Sequence, residues 1–271
     1  MLMILWRRGA INSFLSIRLD PLLNYKGTSD KSSAKCDMAA LCHILNFGIM
    51  WGRVGASTSS FGKLVMADYK LYCFCESGNA YKAALMLAAC QLRWTPIWVD
   101  FFKGETRSPE YRTGINEMGE VPVLLHGAKK ISQSGVILDY LAEQNRKFEP
   151  KSEDERREIL RWMLFDNHKF SSYIATLRFM ISLAKTGETP VTEFLRQRFT
   201  NSLKIVDGHL ATQPFLIGKR ITIADFSLCG YMYFGEELPI DLDPFTHVLN
   251  WLDRIKSLPG WKHPYDLMPR A

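Results

Sequence analysis

Ser77 is the first residue along the chain whose type and setting suit chemistry. It follows Lys70-Leu71-Tyr72-Cys73-Phe74-Cys75, which reads as a short strand stopping at Glu76-Ser77-Gly78-Asn79, and it precedes a helix-like run from Tyr81 to Cys90. A hydroxyl at such a turn has two uses. It can cap the helix by accepting a main-chain N–H, or it can join those N–H groups and the positive end of the helix in holding an anion. Asn79 adds a side-chain amide donor two residues on. Gln133-Ser134 opens a second amphipathic helix and admits the same two readings, cap or anion site. Cys75 also lies near Ser77, but a thiol at a strand end reads first as a packed one. His168, within Phe165-Asp166-Asn167-His168-Lys169-Phe170, reads as a surface or satisfied histidine rather than a base.

Metal, disulfide and nucleic-acid chemistry fall away on spacing and charge. Cys36, Cys42, Cys73, Cys75, Cys90 and Cys229 lack paired framework spacing and read as reduced intracellular thiols. Cys73 and Cys75 have no second Cys or His pair at ligand distance, so no metal is expected. Of the net charge of +6, +5 falls in residues 1–65, which leaves the body nearly neutral and without a nucleic-acid footprint.

The elements that must position these residues begin near Lys70. Arg93 to Phe102, aromatic and β-branched, suits a second strand reached through one helix and hence parallel to the first. A polar loop from Lys103 to Glu120 follows. Val121-Pro122-Val123-Leu124-Leu125, a turn at Gly127 and Lys129-Lys130-Ile131-Ser132 then suit an antiparallel hairpin, and an amphipathic helix runs from Gln133 to about Arg146. Beyond Phe148-Glu149-Pro150-Lys151-Ser152 the period is helical. Ser152 with Glu153-Asp154-Glu155 starts a long run to about Ala184. Further helices are expected over Val191–Leu210, over Ala224–Leu238 after a Thr222-x-x-Asp225 cap, and over Phe245–Leu258 before Pro259-Gly260. The organisation is thus a leader over residues 1–65, an α/β part over 66–149 and an all-α part over 150–271.

The leader is Ser-rich, contains arginine and is poor in acid, so it suits an organellar transit peptide or an unstructured extension. Met66-Ala67-Asp68 would suit a native start. Arg7-Arg8 follow rather than precede the apolar opening, unlike a secretory signal. Met38 to Trp51 falls short of the roughly 20 residues a membrane span needs.

The βαβ–ββα order, Val121-Pro122, Gln133-Ser134 and a helical C-terminal part with a Thr-x-x-Asp cap together resemble the cytosolic glutathione transferase family over about residues 69–271. The likeness is to bacterial members with a Ser-Gly-Asn-x-Tyr-Lys loop, here Ser77-Gly78-Asn79-Ala80-Tyr81-Lys82. Lys103-Gly104-Glu105-Thr106-Arg107-Ser108-Pro109-Glu110 and the tail His263-Pro264-Tyr265-Asp266-Leu267-Met268-Pro269 also have counterparts there. The resemblance implies a thioredoxin-like domain followed by an all-helical one. The implied activity is transfer of the glutathione thiolate to a small hydrophobic electrophile in the cytoplasm.

What the resemblance implies for residues is specific. Ser77 is the counterpart of the activating serine, and Asn79, where thiol-dependent members carry cysteine, is the second catalytic candidate. A hydroxyl donating to a thiolate contributes about 1.5–3 kcal/mol, roughly one to two pKa units, which brings a thiol of pKa near 8.5 into the neutral range. Val121 and Pro122 would present the main chain, across a cis peptide bond, to the cysteinyl unit of glutathione. Gln133 and Ser134 would take the γ-glutamyl carboxylate, and Arg107 the glycyl carboxylate. Phe165, Lys169 and Tyr173 share a helical spacing and are the candidates for the electrophile wall, whereas Trp162 and Met163 read as core.

Two features depart from the family pattern. Asn116-Glu117-Met118-Gly119-Glu120 replaces a common Asn-Pro and makes the lip more acidic, and the segment around His168 is unusually polar. A homodimer is implied, formed by the helix at Gln133 and the long helix from Ser152, with Asp166 or Asn167 reaching the neighbour's glutathione amine. Glutathione-dependent isomerisation or dehalogenation, without its Ser-Ser-Cys loop, and a non-catalytic glutathione-binding scaffold are the alternatives.

Overall fold

A strand that carries proline belongs at a sheet edge, because proline has no N–H to give the ladder. Pro96 places β2 (Trp94–Trp98) there. The structure, a computed structural model, describes residues 69–270; the leader over residues 1–65 and the start near Met66 lie outside the described residues. Strand β1 (Tyr69–Cys73) runs parallel to β2, with Leu71 beside Pro96, as the single-helix crossover predicts. On its other side β1 pairs antiparallel with β3 (Val123–His126), Leu71 opposite Leu124, and β3 pairs antiparallel with β4 (Lys129–Ser132). The order β2-β1-β3-β4 is the thioredoxin-like sheet.

Helices α1 (Gly78–Ala89) and α3 (Ser134–Asn145) pack together, and both also meet α7 (Ile223–Cys229). Helix α1 is buried nearly all round, since Ala83, Ala84, Leu85 and Met86 are each inaccessible. The polar loop from Lys103 contains a tight turn and a short helix, α2 (Pro109–Gly114), that composition had hidden. Its signals were local: Ser108 Oγ accepts from Tyr111 N at 3.1 Å, and Pro109 occupies the first turn.

The helical part starts as the Ser152 cap predicts, with Ser152 Oγ accepting from Glu155 N at 3.1 Å. Helix α4 (Glu153–Phe165) passes through a wider π-helical turn at Asp166–Phe170 into α5 (Ser171–Arg178), and a second such turn covers Phe179–Leu183. Helix α6 (Pro190–Leu210) is clamped by a Thr189–Thr192 capping box. The core behind these helices is apolar, with Phe170, Ile174, Phe199, Leu203, Val206 and Trp251 all inaccessible.

Helix α7 is far shorter than the expected Ala224–Leu238. It begins at the predicted cap, where buried Asp225 accepts from Thr222 N at 2.8 Å, Leu216 N at 2.9 Å and Trp251 Nε1 at 2.9 Å, the last joining it to α8 (Thr246–Lys256). It ends at Gly230, where a Cβ would stand 2.5 Å from Lys82 Cγ and 2.7 Å from the Gly78 carbonyl oxygen. Glycine lets the chain press onto α1 here. The short helix α9 (Pro264–Leu267) closes the chain against α1.

Lys82, inaccessible in α1, crosses to the helical part. Its Nζ meets Asp166 Oδ2 at 2.7 Å and Ser171 Oγ at 2.9 Å, while Ser171 and Ser227 donate to the same carboxylate at 2.6 Å each. Every Asp166 oxygen is therefore engaged inside the chain, whereas Asn167 beside it is exposed.

Candidate active site

The turn after β1 meets the helical part around a cavity of about 390 Å³. Ser77, 7% exposed, is the N-cap of α1, its Oγ accepting from Ala80 N at 3.1 Å. That bond uses a lone pair of the hydroxyl and leaves its proton to donate. Helix α1 therefore starts at Gly78, earlier than the apolar period suggested, and Ser77 and Asn79 both line the cavity.

Val121 and Pro122, joined by a cis peptide bond, form the neighbouring wall. Ser134 stands at the N-terminus of the 12-residue α3, preceded by Gln133, whose φ of +68° is unusual for a residue with a side chain. Such a conformation costs on the order of 1–3 kcal/mol and tends to persist where a site requires it. Gln133 Nε2 donates to Glu120 Oε2 at 2.8 Å, so the acidic lip is partly engaged by the residue beside it. Six of the sequence candidates, Ser77, Asn79, Val121, Pro122, Gln133 and Ser134, thus line one cavity.

The other four do not line it. Arg107 lies exposed in the turn before α2, with its guanidinium folded over Gly104. Phe165 packs edge-on to Trp162 with ring centroids 5.5 Å apart, Lys169 is exposed, and Tyr173 lies against the core. The even spacing of these three assumed a regular helix, whereas the π-helical turn at Asp166–Phe170 changes the phase within it. On that side Ala175, Thr176, Phe179 and Leu183 face the cavity instead.

Aromatic residues of the sheet half complete the wall. Phe74 stacks on Phe101 with centroids 4.9 Å apart and meets Phe102 edge-on at 5.9 Å. A Phe-Phe pair just past a strand end, with Phe102 half exposed, was the available signal for them.

From the helical part come Arg178 and Tyr231. Arg178, 1% exposed, donates from Nη1 to the Glu76 carbonyl at 2.7 Å, pairs with Glu237, and lies 3.6 Å from the Phe234 ring centroid. Burial alone would raise the Glu237 carboxyl, but hydrogen bonds from Tyr265 and Arg178 hold it below its ordinary value. Cys75 is buried, and burial together with the Glu76 carboxylate pushes its thiol up to about 12, which disfavours the reactive thiolate. Among the described residues no cluster of His, Cys, Asp or Glu could hold a metal ion, and no helix is long and apolar enough to cross a membrane.

Comparison with known proteins agrees with this fold. The family models for the glutathione S-transferase N-terminal and C-terminal domains match residues 67–143 and 171–259. The crystal structure of a possible glutathione S-transferase from Rhodopseudomonas palustris is 33% identical, covers 75% of this chain and 92% of its own, and superposes with a TM-score of 0.68. The theta class glutathione S-transferase from Xanthomonas axonopodis pv. citri, solved with glutathione bound, is 25% identical over 76% of this chain and 99% of its own, with a TM-score of 0.67. Glutathione S-transferase F10 of Arabidopsis thaliana is 28% identical over 68% of this chain and 90% of its own. The chain belongs to the glutathione S-transferase family.

Proposed function

We propose that the protein conjugates glutathione to a small, hydrophobic, aromatic electrophile. The observation that carries this reading is Ser77, fixed as the cap of α1 with its proton free to donate, in the cavity that Val121, Pro122 and Ser134 also line. Glutathione extends along Val121-Pro122, its γ-glutamyl carboxylate at Gln133 and Ser134, where the N-terminus of α3 favours negative charge. Ser77 donates to the sulfur and holds it as thiolate, with Asn79 as the second donor. The electrophile lies between Phe74 and Phe101 on one side and Phe179 and Leu183 on the other. The thiolate attacks its electrophilic carbon, or adds across an activated double bond, and rate comes from thiol activation and proximity.

The domains divide near residue 150, glutathione being held by the part before it and the electrophile between the two parts. A homodimer is the assembly we infer. Val136 of α3 and Leu160 and Leu164 of α4 are each 54–60% exposed around a second cavity of about 410 Å³, and Asn167 borders both cavities.

Steady-state turnover of 1-chloro-2,4-dinitrobenzene with glutathione tests the reading. Saturable conjugation that falls sharply in Ser77→Ala is expected. Glutathione binding without turnover of an aryl halide or of an activated alkene would overturn conjugation and favour the scaffold.

A further inference from the structure

Tyr231 reaches the site from the opposite half of the molecule. It follows α7 by two residues and lies on the first turn of α1. A Cβ on Gly78 would come within 2.6 Å of three atoms of its ring. The residue is 8% exposed and lines the same cavity as Ser77. Gly230 is what permits so close an approach, since a side chain there would collide with Lys82 and the Gly78 carbonyl.

Two first-turn N–H groups of α1 are consequently met by hydroxyl oxygens. That of Ala80 goes to Ser77 Oγ at 3.1 Å, and that of Asn79 faces the Tyr231 phenol oxygen. A hydroxyl has one proton and two lone pairs, so an oxygen that accepts from the helix turns its proton elsewhere. Both residues line the cavity. The charged groups acting on Tyr231 are Arg178, which favours the anion, and Asp166, which opposes it; Glu76 also borders the cavity. Burial prevails and pushes the phenol up to about 12, so it keeps its proton throughout the neutral range.

Building on the thiolate reading above, we propose that Tyr231 is a second hydrogen-bond donor to the glutathione sulfur, which is held between a serine of the sheet half and a tyrosine of the helical half. On binding, the thiol releases its proton to solvent, and the Tyr231 O–H shares its hydrogen with a sulfur lone pair without transferring it. When the thiolate attacks, another lone pair forms the S–C bond and the leaving group departs with its own electron pair. Tyr231 remains protonated. The two donors meet only when both halves are docked, which gives the buried Lys82–Asp166 contact a consequence for chemistry as well as for stability.

Tyr231→Phe removes the O–H and little else. Ultraviolet absorbance of bound glutathione as a function of pH should show the thiol pKa raised by about one unit. The affinity for S-methylglutathione, which has no thiol to ionise, should change less than about twofold, because a uniform loss of binding would not single out the thiolate. An unchanged thiol pKa in a folded Tyr231→Phe, where Ser77→Ala does shift it, overturns the role of Tyr231 and leaves the transferase reading standing. No thiolate band in the unmodified protein at any pH below that of free glutathione overturns both. Should Tyr231→Phe not fold, 3-fluorotyrosine placed at position 231 is a stronger donor of nearly the same shape. It should lower the thiol pKa, and an unchanged value would again overturn the proposal.

Discussion

Arg178 Nη1 donates to the Glu76 carbonyl at 2.7 Å, so a buried cation of the helical half holds the residue immediately before Ser77. One residue earlier, Cys75 N donates to the Pro269 carbonyl at 3.0 Å. The turn that carries the cavity hydroxyl is thus fixed by groups about a hundred and about two hundred positions further along the chain.

Replacing Arg178 by Met should cost about 2–3 kcal/mol, because it leaves the Glu76 carbonyl without its donor and the Glu237 carboxylate without its cation. Urea unfolding measures that loss directly. Arg178→Lys, which keeps the charge but not the fork, should recover only part of it. Equal midpoints for Arg178→Met and the unmodified protein would show that the tail alone fixes the turn.

The same cluster gives a dependence on pH. The Glu237 carboxyl is held below its ordinary value of 4.5 in the folded state, so its contribution to stability is complete above about that pH and is lost as pH falls through the folded value. Glu237→Gln lacks the contribution throughout. The difference in urea midpoint between the two proteins should therefore be largest near pH 6–7 and shrink in acid, and a difference that grows in acid would contradict the sign.

The strands and the caps were legible in the sequence because their signals are local. Ile97-Trp98-Val99 mark a strand, Ser152 and Thr222 mark helix starts, and Ser77 occupies a strand-to-helix turn whatever lies around it. What was not legible depended on distance or phase. Helix α7 ends at Gly230, where Lys82 and Gly78 occupy the space a side chain would need, which no window around Gly230 reveals. Phe165, Lys169 and Tyr173 were placed on one face by a regular period, and one π-helical turn displaced that face. Arg178 and Tyr231 reach the cavity only through the docking of the two halves.

Ser77 is the cap of α1 and, in the proposed function, the donor to the sulfur, and two substitutions separate these roles. Ser77→Ala removes both and should cost about 1 kcal/mol of stability, whereas Ser77→Gly costs only a few tenths as a cap. Both delete the O–H, so both should raise the bound thiol pKa by roughly one to two units. Thermal unfolding should distinguish the pair while thiolate absorbance does not. A Ser77→Gly protein with an unshifted thiol would confine Ser77 to capping and transfer its chemical role to Asn79.

Phe101 stacks on Phe74 in the cavity wall, and in the proposed function an aromatic electrophile lies against this pair. Phe101→Ala should raise the KM for an aryl halide by about fivefold to tenfold, consistent with the loss of one aromatic contact, and leave the KM for glutathione within about twofold. An equal rise in both would mean that Phe101 supports the glutathione subsite rather than the electrophile.

Leu160 and Leu164 lie one helical turn apart on α4, each more than half exposed, and Val136 faces them from α3. A lone exposed leucine needs no explanation, but three bordering one apolar cavity form a patch that water covers at a cost. In a two-fold pair residue i meets j and j meets i, so any substitution enters the interface twice. Leu164→Glu places a charge in the apolar contact at both of those places. Sedimentation velocity at micromolar concentration should give twice the chain mass for the unmodified protein and the single mass for Leu164→Glu, whereas Leu164→Met should remain paired. A monomeric unmodified protein with full conjugating activity would end the dimer and, with it, any part for Asn167 in a neighbour's site.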